Sequence, residues 1–151
     1  MAVVVKQESL MVPVTGKVQL HLRRLWTGDK GAGQPVLMFH GAAEDGHIFY
    51  SHSGLGLACF LARHGCEVFV PDLRGKGKSW PAINQNSDFG FHEIVTEDIP
   101  ALAATVKRLG GGREQTGWSL LYLHIAADQR VAAGTFLLAG DLSGHPSCGG
   151  G

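Results

Sequence analysis

The sequence predicts an α/β fold in which a mostly parallel sheet carries flanking helices. Two observations lead there. Pro35-Val36-Leu37-Met38-Phe39 is a short apolar run without alternation, the pattern of a strand covered on both faces. A helical stretch and a second β-rich run, Glu67-Val68-Phe69-Val70, follow it, and strand, helix, strand in this order implies a parallel unit with a right-handed crossover.

Each element has a local reason. From Val18 the apolar residues Val18, Leu20 and Leu22 recur at every second position, which places them on one face of a strand running to Trp26. Gly28 to Gly33 supplies the turn into the strand that ends at His40-Gly41. Ser53 is the expected N-cap of a helix reaching His64, and Gly65 is the residue suited to a left-handed C-cap. Pro71-Asp72 closes the next strand, before the glycine-punctuated loop Arg74-Gly75-Lys76-Gly77-Lys78-Ser79. Val95, Ile99, Leu102, Val106 and Leu109 step by four and three, one face of a helix. A proline inside a helix costs about 3 kcal/mol, so the regular part is expected to start near Asp98 or Ile99, with Pro100 in its first turn. Trp118 to Ala126 and Thr135 to Ala139 read as strands, and Gly140 to Gly151 as a disordered end.

A length of 151 residues suits one domain, and 44% hydrophobic against 17% charged residues fits a folded soluble chain. Thirteen basic side chains balance thirteen acidic ones without a clustered basic patch, which argues against nucleic acid as a partner. The apolar start at Val3-Val4-Val5 is too short for a signal peptide or a membrane span, so a cytoplasmic location is expected. Cys59, Cys66 and Cys148 form no CxxC pair, the eight histidines show no metal-ligand spacing, and no metal or cofactor is expected. Ten of the 22 glycines fall between Gly110 and Gly151, and no lysine follows Lys107. The chain therefore divides into residues 1–109 and a compositionally different 110–151.

The strand ending in His40-Gly41, the helix Leu55 to Gly65, the strand Glu67 to Asp72 and the loop Asp72-Leu-Arg-Gly-Lys-Gly-Lys-Ser79 resemble the α/β-hydrolase fold family. The closer likeness is to its serine aminopeptidase and monoacylglycerol-lipase-like branch, over residues 15–109, which makes the fold an incomplete one. The resemblance implies serine-type hydrolysis of a carboxylic ester or related acyl bond through an acyl-enzyme, with a small-molecule acyl substrate. It also implies an oxyanion hole at His40, Gly41 and Ala42, with the Ala42 N–H as one donor. Small residues at 41–43 leave room for a substrate carbonyl.

The loop residues Asp72, Arg74, Gly75, Gly77 and Ser79 read as structural. Gly77-Lys78-Ser79 resembles the end of a phosphate-binding loop, but Asp72 stands where that motif needs a glycine. The nucleophile elbow G-x-S-x-G is not found intact. Gly117-Trp118-Ser119-Leu120-Leu121 offers Ser119, and Gly144-His145-Pro146-Ser147-Cys148-Gly149 offers Ser147. Ser119, Asp128 and His145 follow the triad order, with too few residues between them for the intervening elements.

Residues 110–151 are accordingly read as a truncated, frame-altered or divergent ending. Without a true elbow strand, the strand at 35–39 would keep an open edge and invite self-association. The alternative to an active hydrolase is a non-catalytic remnant that binds a small molecule or partner through the loop 40–50.

Overall fold

The computed structural model describes residues 2–41, 44–110, 119–125 and 131–136, with side chains described up to Gly110. Six strands form one sheet: β1 (Lys6–Pro13), β2 (Gln19–Trp26), β3 (Gln34–Phe39), β4 (Cys66–Pro71), β5 (Ser119–Ile125) and β6 (Val131–Phe136). Their order is β1-β2-β4-β3-β5-β6. The central strands β4, β3 and β5 are parallel, while β1, β2 and β6 add antiparallel margins.

The expected parallel pair is β3 and β4, in register from Gln34 opposite Cys66 to Leu37 opposite Phe69. Helix α1 (Leu57–Arg63) makes the crossover between them. Val36, Met38, Val68 and Val70 pack on the α1 face with Ala58, Cys59 and Ala62. Leu37, Phe39 and Phe69 pack on the opposite face with Leu102 and Val106 of α3 (Ile99–Leu109). Burial on both faces explains why these strands read as unbroken apolar runs. Leu20 and Leu22 join the second cluster, with Val18 packed beside it, as their alternation predicted.

Helix α1 starts later than expected. Its N-terminal flank is Gly56, at φ 112°, and Ser53 does not cap it. Ser53 instead meets the Ser51 hydroxyl at 2.9 Å, and Ser51 Oγ accepts the Leu55 N–H. Gly54 and Gly56 both take positive φ, and a Cβ on Gly56 would collide with the Phe49 carbonyl. The chain must pass close to Phe49 here, which prevents an earlier helical turn. At the other end Gly65 has φ 87° and donates to the Ala62 carbonyl at 3.2 Å, the predicted left-handed cap.

Pro100 also behaves as its chemistry requires. Helix α2 (Phe91–Glu93) passes into a π-turn over Ile94–Asp98, where the Ile99 N–H bonds to the Ile94 carbonyl, and α3 then begins with Pro100 in its first turn.

Three expectations change. Strand β1 was not foreseen: its Lys-Gln-Glu-Ser start has no apolar alternation, yet it pairs with β2 from Lys6–Trp26 to Pro13–Gln19. Strand β6 starts at Val131, four residues before the expected Thr135, because Ile125 and Val131 pair at the start of an antiparallel return. Strand β3 has no open edge, since β5 pairs along it from Val36–Ser119 to Phe39–Tyr122. The argument for self-association through β3 therefore falls, because the sheet margins are β1 and β6. The disordered end expected over Gly140–Gly151 lies outside the described residues.

Candidate active site

Parallel strands bring their C-terminal ends to one edge of a sheet, the edge where α/β proteins place ligands. At that edge β3 delivers His40-Gly41 and β4 delivers the loop after Pro71. His40 is fully buried between them. Its Nε2 accepts the Leu73 N–H at 2.9 Å, so the proton resides on Nδ1, which donates to the Gly41 carbonyl at 2.8 Å. The imidazole thus braces the turn against the neighbouring loop, and both of its nitrogens are occupied.

The loop from Asp72 to Ser79 is built around a carboxylate. Asp72 is fully buried. Its Oδ1 accepts the Gly46 N–H at 2.8 Å, and its Oδ2 accepts the Lys78 N–H at 3.0 Å and the His21 Nδ1 proton at 2.9 Å. Burial alone would raise its pKa. The hydrogen bonds from His21, Lys78 and Gly46 outweigh it and hold the carboxyl below its ordinary value. Gly77 sits at φ 48° with the carboxyl group where a Cβ would be. The cradle that a phosphate would need is filled by Asp72 itself, against the phosphate-loop reading.

Ser79 Oγ donates to the Asp72 carbonyl at 2.6 Å and accepts the His21 N–H at 2.9 Å. Arg74 reaches Asp98 and Glu97, each at 2.6 Å from a guanidinium nitrogen, and pins the loop to the start of α3. Gly75, at φ 75°, leaves space that the Phe89 ring fills. All five loop residues thus have structural roles.

Between the turn and this loop lies a cleft of about 230 Å³. His40, Gly41, Leu73 and Arg74 line one part of it, and Ile83, Phe89, Phe91 and Ile94 supply apolar walls. Ile83 and Phe91 are 59% and 73% exposed. Large apolar side chains left open at a concave surface are a binding feature more than a folding one. Sequence reasoning missed these walls. The available signal was Ile83, Phe89 and Phe91 standing singly in a polar, glycine-containing stretch.

Of the remaining expected site residues, Ala42 and Ser147 lie outside the described residues. Ser119 opens β5 opposite Val36, three residues before the Tyr122–Phe39 pair that adjoins the His40 turn. At about 3.3 Å per residue, its backbone stands about 10 Å along the sheet from the end that carries the turn. The structure does not bring Ser119 to His40 and Gly41. Among the described residues no group of three or more His, Cys, Asp or Glu side chains could hold a metal ion. Cys59 and Cys66 are free thiols. No helix among the described residues is long and apolar enough to cross a membrane.

Comparison with known proteins agrees with this architecture. The profile of the alpha/beta hydrolase fold family matches residues 34–139, more than two thirds of the chain. The chain belongs to that family. The matched region begins at β3 and runs past Leu109 into the glycine-rich part. No curated protein sequence matches the chain.

Among solved structures, an esterase of Pyrococcus furiosus is similar with a TM-score of 0.56 and 19% identity, over 78% of this chain and 42% of its own. A hypothetical protein of Pseudomonas aeruginosa gives 0.54 and 16%, over 77% of this chain and 34% of its own. A Klebsiella pneumoniae protein named as a candidate epoxide hydrolase gives 0.51 and 19%, over 78% and 33%. At these identities the likeness is one of fold. The chain spans less than half the length of each of these structures.

Proposed function

We propose that the cleft at the His40–Gly41 turn is the acyl-binding site of a serine-type hydrolase acting on a carboxylic ester or related acyl bond. The observation that carries this reading is the junction of two features: apolar walls from Ile83, Phe89, Phe91 and Ile94 lead to a turn locked by the buried His40. An acyl chain would lie along the walls and place its carbonyl at the turn. There the Ala42 N–H, the donor that the family resemblance implies, would bond to the tetrahedral oxyanion beside the His40–Gly41 turn. His40 acts in this scheme as a positioning residue, since both ring nitrogens are already bonded.

Of the two serines that the sequence offers, Ser147 is taken as the candidate nucleophile in this reading. The position of Ser119 opposite Val36 favours a second reading, in which this chain binds an acyl compound in the cleft without cleaving it.

A fluorophosphonate probe followed by peptide mapping separates the two readings. An adduct on Ser147 supports hydrolysis. A folded chain that binds a short-chain acyl ester in the cleft, with no adduct on Ser147 or Ser119, supports the non-catalytic reading.

A further inference from the structure

Ser9 of the margin strand β1, His21 of β2 and Asp72, which directly precedes the cleft-lining Leu73, form a hydrogen-bonded chain whose serine lies outside the cleft. Ser9 Oγ lies 2.8 Å from His21 Nε2, and His21 Nδ1 lies 2.9 Å from Asp72 Oδ2. An ionised carboxylate can only accept, so Nδ1 carries a proton toward Asp72 and Nε2 is free to accept from the Ser9 hydroxyl. Arg23 Nη1 donates to the same Ser9 oxygen at 2.8 Å. Every donor and acceptor is therefore assigned in one direction: Arg23 to Ser9, Ser9 to His21, His21 to Asp72.

The sheet register produces this arrangement. Ser9 stands opposite Arg23 in the β1–β2 pair, and His21, two residues earlier in β2, projects from the same face. Asp72 follows the last residue of β4, and its N–H donates to the His21 carbonyl at 2.8 Å, so the acid and the base are tied by their backbones as well. His21 and Asp72 are buried while Ser9 is exposed. An exposed nucleophile backed by a buried, oriented base is the arrangement that activates a hydroxyl. Arg23 lies over the Tyr50 ring, 5.4 Å from its centroid, and has no carboxylate partner among the described residues. Its Nε and Nη2 donate to Gln7 Oε1 at 3.1 and 2.9 Å, which fixes the guanidinium charge beside the serine.

We propose that Ser9 is the nucleophile of a second acyl-transfer site, outside the cleft, that accepts acyl groups from small carboxylic esters. Ser9 Oγ attacks the ester carbonyl and its proton passes to His21 Nε2, while Arg23 faces the negative oxygen. Collapse breaks the ester C–O bond, and the leaving oxygen takes the proton from His21 and departs as the alcohol. Water then attacks the acyl carbon as the same nitrogen takes its proton, and that proton passes to Ser9 Oγ as the acyl–serine C–O bond breaks and the carboxylic acid leaves.

The test is to incubate the full chain with p-nitrophenyl acetate, follow nitrophenol release and map acetylated peptides. Acetylation of Ser9, abolished in Ser9→Ala and slowed about 100-fold in His21→Gln with an unchanged circular dichroism spectrum, is the expected result. No acetyl group on Ser9, or equal acylation rates with and without His21, would overturn the proposal. Should His21→Gln not fold, Ser9→Cys decides: its iodoacetamide alkylation at pH 7 should be faster in the folded chain than in urea, and an equal or slower rate overturns the proposal. Labelling of Ser147 alone would contradict this site while supporting the cleft reading, so the two are judged separately.

Discussion

The Nε2 atom of His40, at the end of β3, accepts the backbone N–H of Leu73, two residues beyond β4, at 2.9 Å. This bond joins the two loops that bound the cleft. His40→Phe would fill the volume but leave a buried N–H without a partner, at a cost of about 1–3 kcal/mol. The urea midpoint should fall accordingly without a change in the slope of the transition.

Arg74 and Asp98 form a second tie, between the same loop and the start of α3. Asp98 is fully buried, and its two oxygens receive the guanidinium at 2.6–3.2 Å. Arg74→Met should destabilise the protein by about 3–5 kcal/mol, because it strands a buried charge. The double variant Arg74→Met with Asp98→Leu should lose less than Arg74→Met alone. Denaturation of the parent and both variants checks the order.

The two buried aspartates should give pH dependences of opposite sign. Asp72 has a folded pKa below its ordinary value of about 3.9, so near and below that pH the unfolded chain binds more protons. Its stabilisation is present above about pH 4 and is lost as pH falls through the folded value. Asp98 is shifted up by burial, which outweighs Arg74, so it favours the folded state less as pH rises above about 4. Urea titrations from pH 3 to 6 should show Asp72→Asn flattening the acid limb and Asp98→Asn steepening the net rise in stability with pH.

Gly77 supports the Asp72 cradle by having no side chain. Gly77→Ala would combine a left-handed backbone with a methyl group placed into the carboxylate. A loss of about 2 kcal/mol or more is expected, since αL strain alone costs about 1–2 kcal/mol. Calorimetry of the single variant checks it.

The sheet's central part was legible because both faces of β3 and β4 are covered, which leaves unbroken apolar runs in the sequence. Gly65, Gly75 and Gly77 were equally readable, each marking a positive φ. Strand β1 was hidden because an edge strand half open to water tolerates Lys6, Gln7, Glu8 and Ser9, and it is held by pairing with β2 instead of by its own pattern. The start of α1 was hidden for another reason: the approach of Gly56 to Phe49 is a tertiary constraint that local capping preferences at Ser53 do not contain. His40-Gly41 and the Asp72 loop were recognisable as motifs. The walls of the cleft were not, because Ile83, Phe89 and Phe91 converge only after the loop has folded over Gly75.

The most direct measurement is binding of p-nitrophenyl butyrate to the full chain by saturation-transfer NMR, compared with Ile83→Asp and Phe91→Asp. Both side chains are exposed, so these variants should fold as the parent does. Acyl-chain contacts in the parent that weaken at least tenfold in both variants are the predicted result. Binding that is absent, or indifferent to the two substitutions, would contradict the assignment of the cleft at His40–Gly41 as the acyl site.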